Sequence, residues 1–182
     1  METRIENSKP QASVPRNLAS VPKCPNCWKA LDLCLCSEIK PLQSPLSVLI
    51  LQHPQEARNP ATTARFTSLS LKGSVHRVGL SWRSLKQALG REANPSDWAV
   101  LYLGTKVKSD KFKHLPFCLI DRTEKILRNV KLQGIIVLDG NWKQSKTLWW
   151  RNPWFSRMHR IILNPSEPAA FNAVRKEPRK NS

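Results

Sequence analysis

Four cysteines fall within thirteen residues, as Cys24-Pro25-Asn26-Cys27 followed by Cys34-Leu35-Cys36. Two close thiol pairs at this spacing can close around one tetrahedral zinc ion. Four thiolates leave no open coordination position, so the expected Zn2+ is structural rather than catalytic. Trp28, next to Cys27, either packs on this knuckle or stacks a base. A second group that could do chemistry is Asp139-Gly140-Asn141-Trp142-Lys143. Asp139 is a lone carboxylate at the end of an apolar run, surrounded by basic sequence. It either turns and caps the chain or faces a pocket as a general base, with its acidity set by burial and nearby cations. Gly140 permits a tight turn or a close ligand approach, and Asn141 suits a helix N-cap.

The elements that would position these groups alternate in type. Ser47 to Gln52 reads as a buried strand ended by His53-Pro54. Asn59 and Pro60 read as the cap and first turn of a helix running to Leu71 and stopped at Gly73. A strand follows from Ser74 to Leu80, then a helix from Trp82 to Leu89 ended by Gly90. Trp98 to Leu103 is a second buried strand closed by Gly104, and residues 106 to 114 form a basic loop. Asp121 to Lys131 reads as a helix. Gly134 to Leu138 is the clearest strand, and a helix follows from Trp142 to Arg151. A last strand covers Arg160 to Leu163. This alternation predicts an α/β domain with a mainly parallel sheet and helices on both faces. Ligands in such sheets bind beyond the carboxyl ends of the strands, which selects the loops at 53–59, 104–108 and 139–142.

On the last helix, Trp149, Trp142, Lys146 and Trp150 fall within one arc of about 100°. Rings interleaved with cations suit bases and phosphates. Taken singly, Trp149 and Trp150 read as core, and Trp142 is the one placed at the ligand. His53 could line the pocket, whereas His76, His114 and His159 read as structural or surface residues. Cys118 reads as a small core residue rather than a nucleophile.

The chain has 182 residues, with 30 Lys and Arg against 13 Asp and Glu, for a formal charge of +17. An excess this large favours a polyanionic partner, because each neutralised phosphate releases counterions. A membrane surface fits less well, since no basic amphipathic helix with a wide apolar face is evident. No apolar run approaches membrane-spanning length and no signal peptide is read, so the expected compartment is cytoplasmic, where thiols favour metal over disulfide. The organisation read from the sequence is a flexible tail over 1–20, a zinc knuckle over 21–40 and an α/β domain over 41–182.

These motifs together resemble the DTW-domain family, the tRNA-uridine aminocarboxypropyltransferases. The resemblance spans roughly residues 22 to 180. It rests on the four cysteines, Gln52-His53-Pro54-Gln55-Glu56, Thr63-Ala64-Arg65, Val100-Leu101-Tyr102, Leu138 to Trp142, and Arg175-Lys176-Glu177-Pro178. It implies a SPOUT-like α/β fold with a carboxyl-terminal trefoil knot. It implies transfer of the 3-amino-3-carboxypropyl group of S-adenosyl-L-methionine to N3 of a uridine in tRNA, giving acp3U and methylthioadenosine. In that chemistry Asp139 takes the N3 proton or orients the imide. Trp142 stacks the uracil or faces the sulfonium. Leu103, Gly104, Leu138, Gly140 and Asn141 lie against the cofactor. Lys106, Lys108, Lys143, Lys146, Arg151, Arg175 and Lys176 hold phosphates. The chain is expected to be a monomer with tRNA as partner, without membrane or protein partner. Asn141 stands where the family motif Asp-x-Thr-Trp has threonine. The family pattern continues past Pro178, while this chain ends at Ser182, so the knot is expected to be incomplete. The alternative expectation is a non-catalytic zinc-knuckle RNA binder or an inactive short homologue; a DNA binder is a third.

Overall fold

A computed structural model of the chain describes residues 22–59, 62–101 and 115–164. They divide into two compact units between Ser37 and Glu38. The second unit is built on a seven-stranded sheet. Its strands are β1 (Ser47–Gln52), β2 (Val75–Val78), β3 (Trp98–Leu101), β4 (Phe117–Ile120), β5 (Ile126–Leu127), β6 (Gly134–Asp139) and β7 (His159–Leu163). They lie in the order β2-β1-β6-β3-β7-β4-β5. The first five are parallel, and β4 and β5 add an antiparallel margin. The helices are α1 (Pro54–Ala57), α2 (Ala64–Ser70), α3 (Leu85–Leu89) and α4 (Trp142–Arg151).

The central strands are apolar along their length because both of their faces are covered. Residues alternate between faces along a strand. Val48 and Ile50 of β1 pack with Ala64 of α2, joined by Ile135 and Val137 of β6. Leu49, Leu51, Val100 and Ile136 pack on the other side with Leu85, Ala88 and Leu89 of α3. Phe155 and Met158 join that second core, and Trp149 of α4 packs against it. Helices therefore cover both faces, as expected. The register pairs Ser47 with Gly134 and Gln52 with Asp139, so β1 and β6 end level with each other. Gly134 is required at the start of β6. A Cβ there would lie 2.5 Å from the Trp98 ring and 2.7 Å from the Ser47 carbonyl oxygen.

Three expectations change. The span 121–131 is a hairpin margin, not a helix. Asp121 Oδ1 accepts from Thr123 N, Thr123 Oγ1 and Lys125 N at 2.7, 2.7 and 2.9 Å, closing a turn that lets Ile126 pair with Ile120. A short acidic side chain that satisfies local backbone donors competes with helix formation. Second, α2 begins at Ala64 rather than at Pro60. Asn59 does not cap it; its Nδ2 donates to Glu56 Oε1 at 2.9 Å and closes the turn after α1. Third, α3 begins at Leu85, where the Ser84 side chain accepts from Gln87 N, and it ends at Gly90 as predicted. α4 and its Asn141 cap match the sequence reading. The expected basic loop over 106–114, and the carboxyl-terminal residues 165–182, lie outside the described residues. Among the described residues, no helix is long and apolar enough to cross a membrane.

Candidate active site and metal centre

The first unit is organised by its cysteines. Lys23 bridges Ala30 in an antiparallel pair, and the Trp28 amide donates to the Cys24 carbonyl at 2.9 Å. Trp28 has φ 60°, which reverses the chain after Cys27. Leu31–Leu33 form a short 3-10 turn that delivers Cys34. The four sulfurs lie within 4.8 Å of one another, with Cys24 to Cys36 at 3.7 Å and Cys27 to Cys34 at 3.8 Å. A tetrahedron with metal–sulfur bonds of about 2.3 Å has edges of about 3.8 Å, so the cluster can hold one zinc-sized ion. The thiol acidities are uneven. Backbone N–H groups of Cys27 and Asn26 hold the Cys24 thiol down to about 6. Desolvation and the neighbouring sulfurs push Cys36 up to about 12. Four sulfurs this close repel one another as anions, and a bound dication removes that conflict. Trp28 is about half exposed.

In the second unit the chemistry gathers at the carboxyl ends of β1 and β6, joined by His76 from within β2. Gln52 ends β1 and is buried, on the α2 face of the sheet. Its Nε2 donates to Asp139 Oδ2 at 2.7 Å and to Thr62 Oγ1 at 2.6 Å. Its Oε1 is 3.0 Å from His76 Nε2 on β2. The His53 amide donates to the Asp139 carbonyl at 3.0 Å, and His53 Nδ1 accepts from Gln55 N at 3.2 Å. His53 therefore caps α1. His76, expected to be a structural or surface residue, is hydrogen-bonded to Gln52 at the candidate site. Burial raises the Asp139 pKa, the Gln52 hydrogen bond opposes this, and the Glu56 charge adds to the rise. Burial and then the Arg65 charge lower the pKa of His76, so its neutral form is favoured.

Gly140 has φ 157°, and a Cβ there would lie 2.8 Å from Gln144 Cβ. That approach belongs to the start of α4. The Asn141 side chain accepts from Gln144 N at 3.0 Å, and Gln144 Oε1 accepts from Asn141 N at 2.7 Å, a reciprocal capping pair. Trp142 is the half-buried first residue of α4. Leu138 packs against the α3-side core. The tryptophan arc of α4 is split. Trp149 lies tilted against Phe155 with ring centroids 5.7 Å apart, while Trp150 is 78 % exposed among exposed Lys143, Lys146 and Arg151. Cys118 is buried with Ile120, as a core residue should be. Leu103, Gly104, Lys106, Lys108, Arg175 and Lys176 lie outside the described residues. Sequence reasoning passed over Gln52, Thr62 and His76 as site members. The available signal was a polar residue ending each of two six-residue apolar strands, SVLILQ and GIIVLD.

Two outcomes follow from this geometry. The purified chain should hold one zinc per molecule, measured by elemental analysis. Cys34→Ser or a strong chelator should remove it and unfold the amino-terminal unit, seen as loss of its amide-exchange protection. Separately, the folded protein binds the Asp139 proton more tightly than the unfolded chain does. That contribution to stability is present at acid pH and is lost as pH rises through the folded-state pKa. Asp139→Asn should therefore melt a few degrees above the wild type at neutral pH, with the gap closing as pH falls. An equal gap at all pH values would contradict a raised pKa.

A family model described as DTW domain matches residues 21–182. Two curated relatives are each 24% identical over 162 residues: the tRNA-uridine aminocarboxypropyltransferase 2 of Macaca fascicularis and that of Mus musculus. The match covers 86% of this chain and 50% of each relative, so the chain spans about half the length of the curated relatives it matches. No solved structure matches the chain. With the family model covering nearly all of it, the cysteine cluster and the strand-end carboxylate included, this chain belongs to the DTW-domain family.

Proposed function

We propose that this protein is a tRNA-modifying transferase that joins the 3-amino-3-carboxypropyl group of S-adenosyl-L-methionine to N3 of a uridine in tRNA. The observation that carries this reading is the half-buried Asp139 carboxylate, held by Gln52 at the carboxyl edge of a parallel sheet. Two relatives carry the name of that activity, and the +17 charge suits a polyanionic substrate. The SPOUT-like knot belongs to the same reading.

A uridine N3–H is a weak acid and must lose its proton before N3 becomes a good nucleophile. Asp139 has the means to take it. Its raised pKa brings the carboxylate nearer to a useful base strength, while Gln52 keeps the anion accessible. S-adenosyl-L-methionine, when bound, would supply an alkyl carbon already activated by a sulfonium, with methylthioadenosine as the departing product. The residues present suit such a cation. Asp139 and Glu56 form a local acidic pair in a basic chain, and Trp142 could offer an aromatic face. The backbone around Leu138, Gly140 and Asn141, with Leu103 and Gly104, would line the cofactor. After proton removal the protein's remaining task is alignment. Lys143, Lys146 and Arg151, beside exposed Trp150, would hold the tRNA backbone, together with Lys106, Lys108, Arg175 and Lys176. A structural zinc in the cysteine cluster would brace the amino-terminal unit.

Incubation with S-adenosyl-L-methionine and unmodified tRNA should release methylthioadenosine and add the aminocarboxypropyl mass to a uridine. Asp139→Asn should lower that turnover by about 10²–10⁴-fold with little change in tRNA affinity. Release of S-adenosylhomocysteine instead would indicate methyl transfer. Salt-dependent tRNA binding with no product would leave an RNA-binding protein. Lys146→Ala should reduce the log–log salt slope of tRNA binding by about one unit.

A further inference from the structure

The amide of Gln52 has only one orientation that suits an ionised Asp139. A carboxylate only accepts hydrogen bonds, so the atom facing Oδ2 must be Nε2. Thr62 Oγ1, 2.6 Å from the same Nε2, accepts its second proton. The amide oxygen then points to His76 Nε2 at 3.0 Å, so that nitrogen must carry a proton and donate. Each group thus fixes the next across three adjacent strands, from His76 within β2, level with Ile50, to Gln52 and Asp139 at the ends of β1 and β6. Gln52 is 1% exposed, and a buried amide without partners would be costly, so the chain has strong reason to stay intact.

We propose that Gln52 is the positioning residue for Asp139 and that His76 sets the orientation of Gln52. Gln52 ties down Oδ2 and stabilises the charged form. Among the described residues Oδ1 has no hydrogen-bond partner, so it is the atom left to receive a proton. In the proposed reaction the N3–H bond of the uracil breaks, the Oδ1–H bond forms, and the electron pair stays on N3. Protonation of Asp139 opens the reverse arrangement, in which the acid donates to Gln52 Oε1. Nε2 would then face His76, which could accept it only as the tautomer protonated on Nδ1. Asp139 protonation and the His76 tautomer are coupled through one amide. Among the described residues, the charged groups that bear on this network are Glu56 on Asp139 and Arg65 on His76. His53, also close by, has its Nδ1 engaged by the Gln55 amide. This inference rests on the proposed role of Asp139, but the coupling can be read without any reaction.

The test is a carboxyl-carbon NMR titration of Asp139 in the full 182-residue chain, without tRNA or cofactor. Gln52→Met keeps the side-chain volume and removes the amide. It should raise the Asp139 midpoint by about one unit or more, since a hydrogen bond to the charged form is lost. His76→Leu leaves Gln52 in place but frees its orientation, and should raise the midpoint by less. His76→Gln supplies a donor again and should restore it. An unmoved midpoint in folded Gln52→Met would overturn the assignment. So would identical midpoints in His76→Leu and His76→Gln, and those variants keep the test open if Gln52→Met does not fold. Turnover on tRNA separates the two claims. A chain without turnover but with these shifts loses the transferase reading and keeps the relay. A chain with turnover and no shifts keeps the reaction and loses the relay.

Discussion

The register between β1 and β6 is the constraint on which the candidate site depends. It sets Gln52 level with Asp139 at the ends of two neighbouring parallel strands, with both side chains on the α2 face. A shift of one residue would turn one of the two onto the opposite face and would exchange that strand's apolar side chains between two differently packed cores. The same alternation that buries Val48, Ile50, Ile135 and Val137 under α2 therefore brings amide and carboxylate together. Packing fixes the polar pair. The hydrogen bond itself, to a charged acceptor, contributes about 1.5–3 kcal/mol, far less than the cost of slipping two central strands.

Asp139 is held between opposing influences. Burial and the Glu56 charge favour its acid form, and the Gln52 amide favours its anion. A carboxylate exposed to water would be a weaker base, and one buried without a donor would stay protonated. Gln52 resolves this by giving the anion one strong partner while Oδ1 is left without one among the described residues. The cysteine cluster meets a related conflict by different means. Four mutually repelling sulfurs cannot be settled by a single hydrogen-bond donor, and a dication shared among them can settle all at once.

Local pattern carried much of this molecule. β1, β6, α4 and its Asn141 cap are legible because continuous apolar runs and a cap followed by Gln144 leave few alternatives. The cysteine spacing is legible for the same reason, as a cluster that could hold one metal ion. The hairpin margin at 117–127 was not legible as such. Its charged stretch has helical composition, and only the three hydrogen bonds to Asp121 reveal a turn. Gln52, Thr62 and His76 were hidden more deeply. They come from three separate segments, and Gln52 meets both His76 and Asp139 only once β1 lies between β2 and β6. No local periodicity encodes which parallel strands are neighbours, so a site assembled across strands is harder to read than one that follows the chain.

The α4 helix shows how two roles divide along a single turn. Trp149 and Trp150 are adjacent, but 100° of rotation places one against Phe155 and leaves the other almost wholly in solvent. The outer face that carries Trp150 also carries Lys143, Lys146 and Arg151. α4 packs through Trp149 on the α3-side core, whereas the Asp139 carboxyl points to the α2 face. On the proposed reading, RNA held on the outer face of α4 would present a base to that carboxylate by turning it out of the stack. Extruding a base costs a few kcal/mol, which phosphate contacts on the outer face of α4 could offset. Holding the backbone on one face and the proton acceptor on the other would then select for bases that can be extended from the RNA.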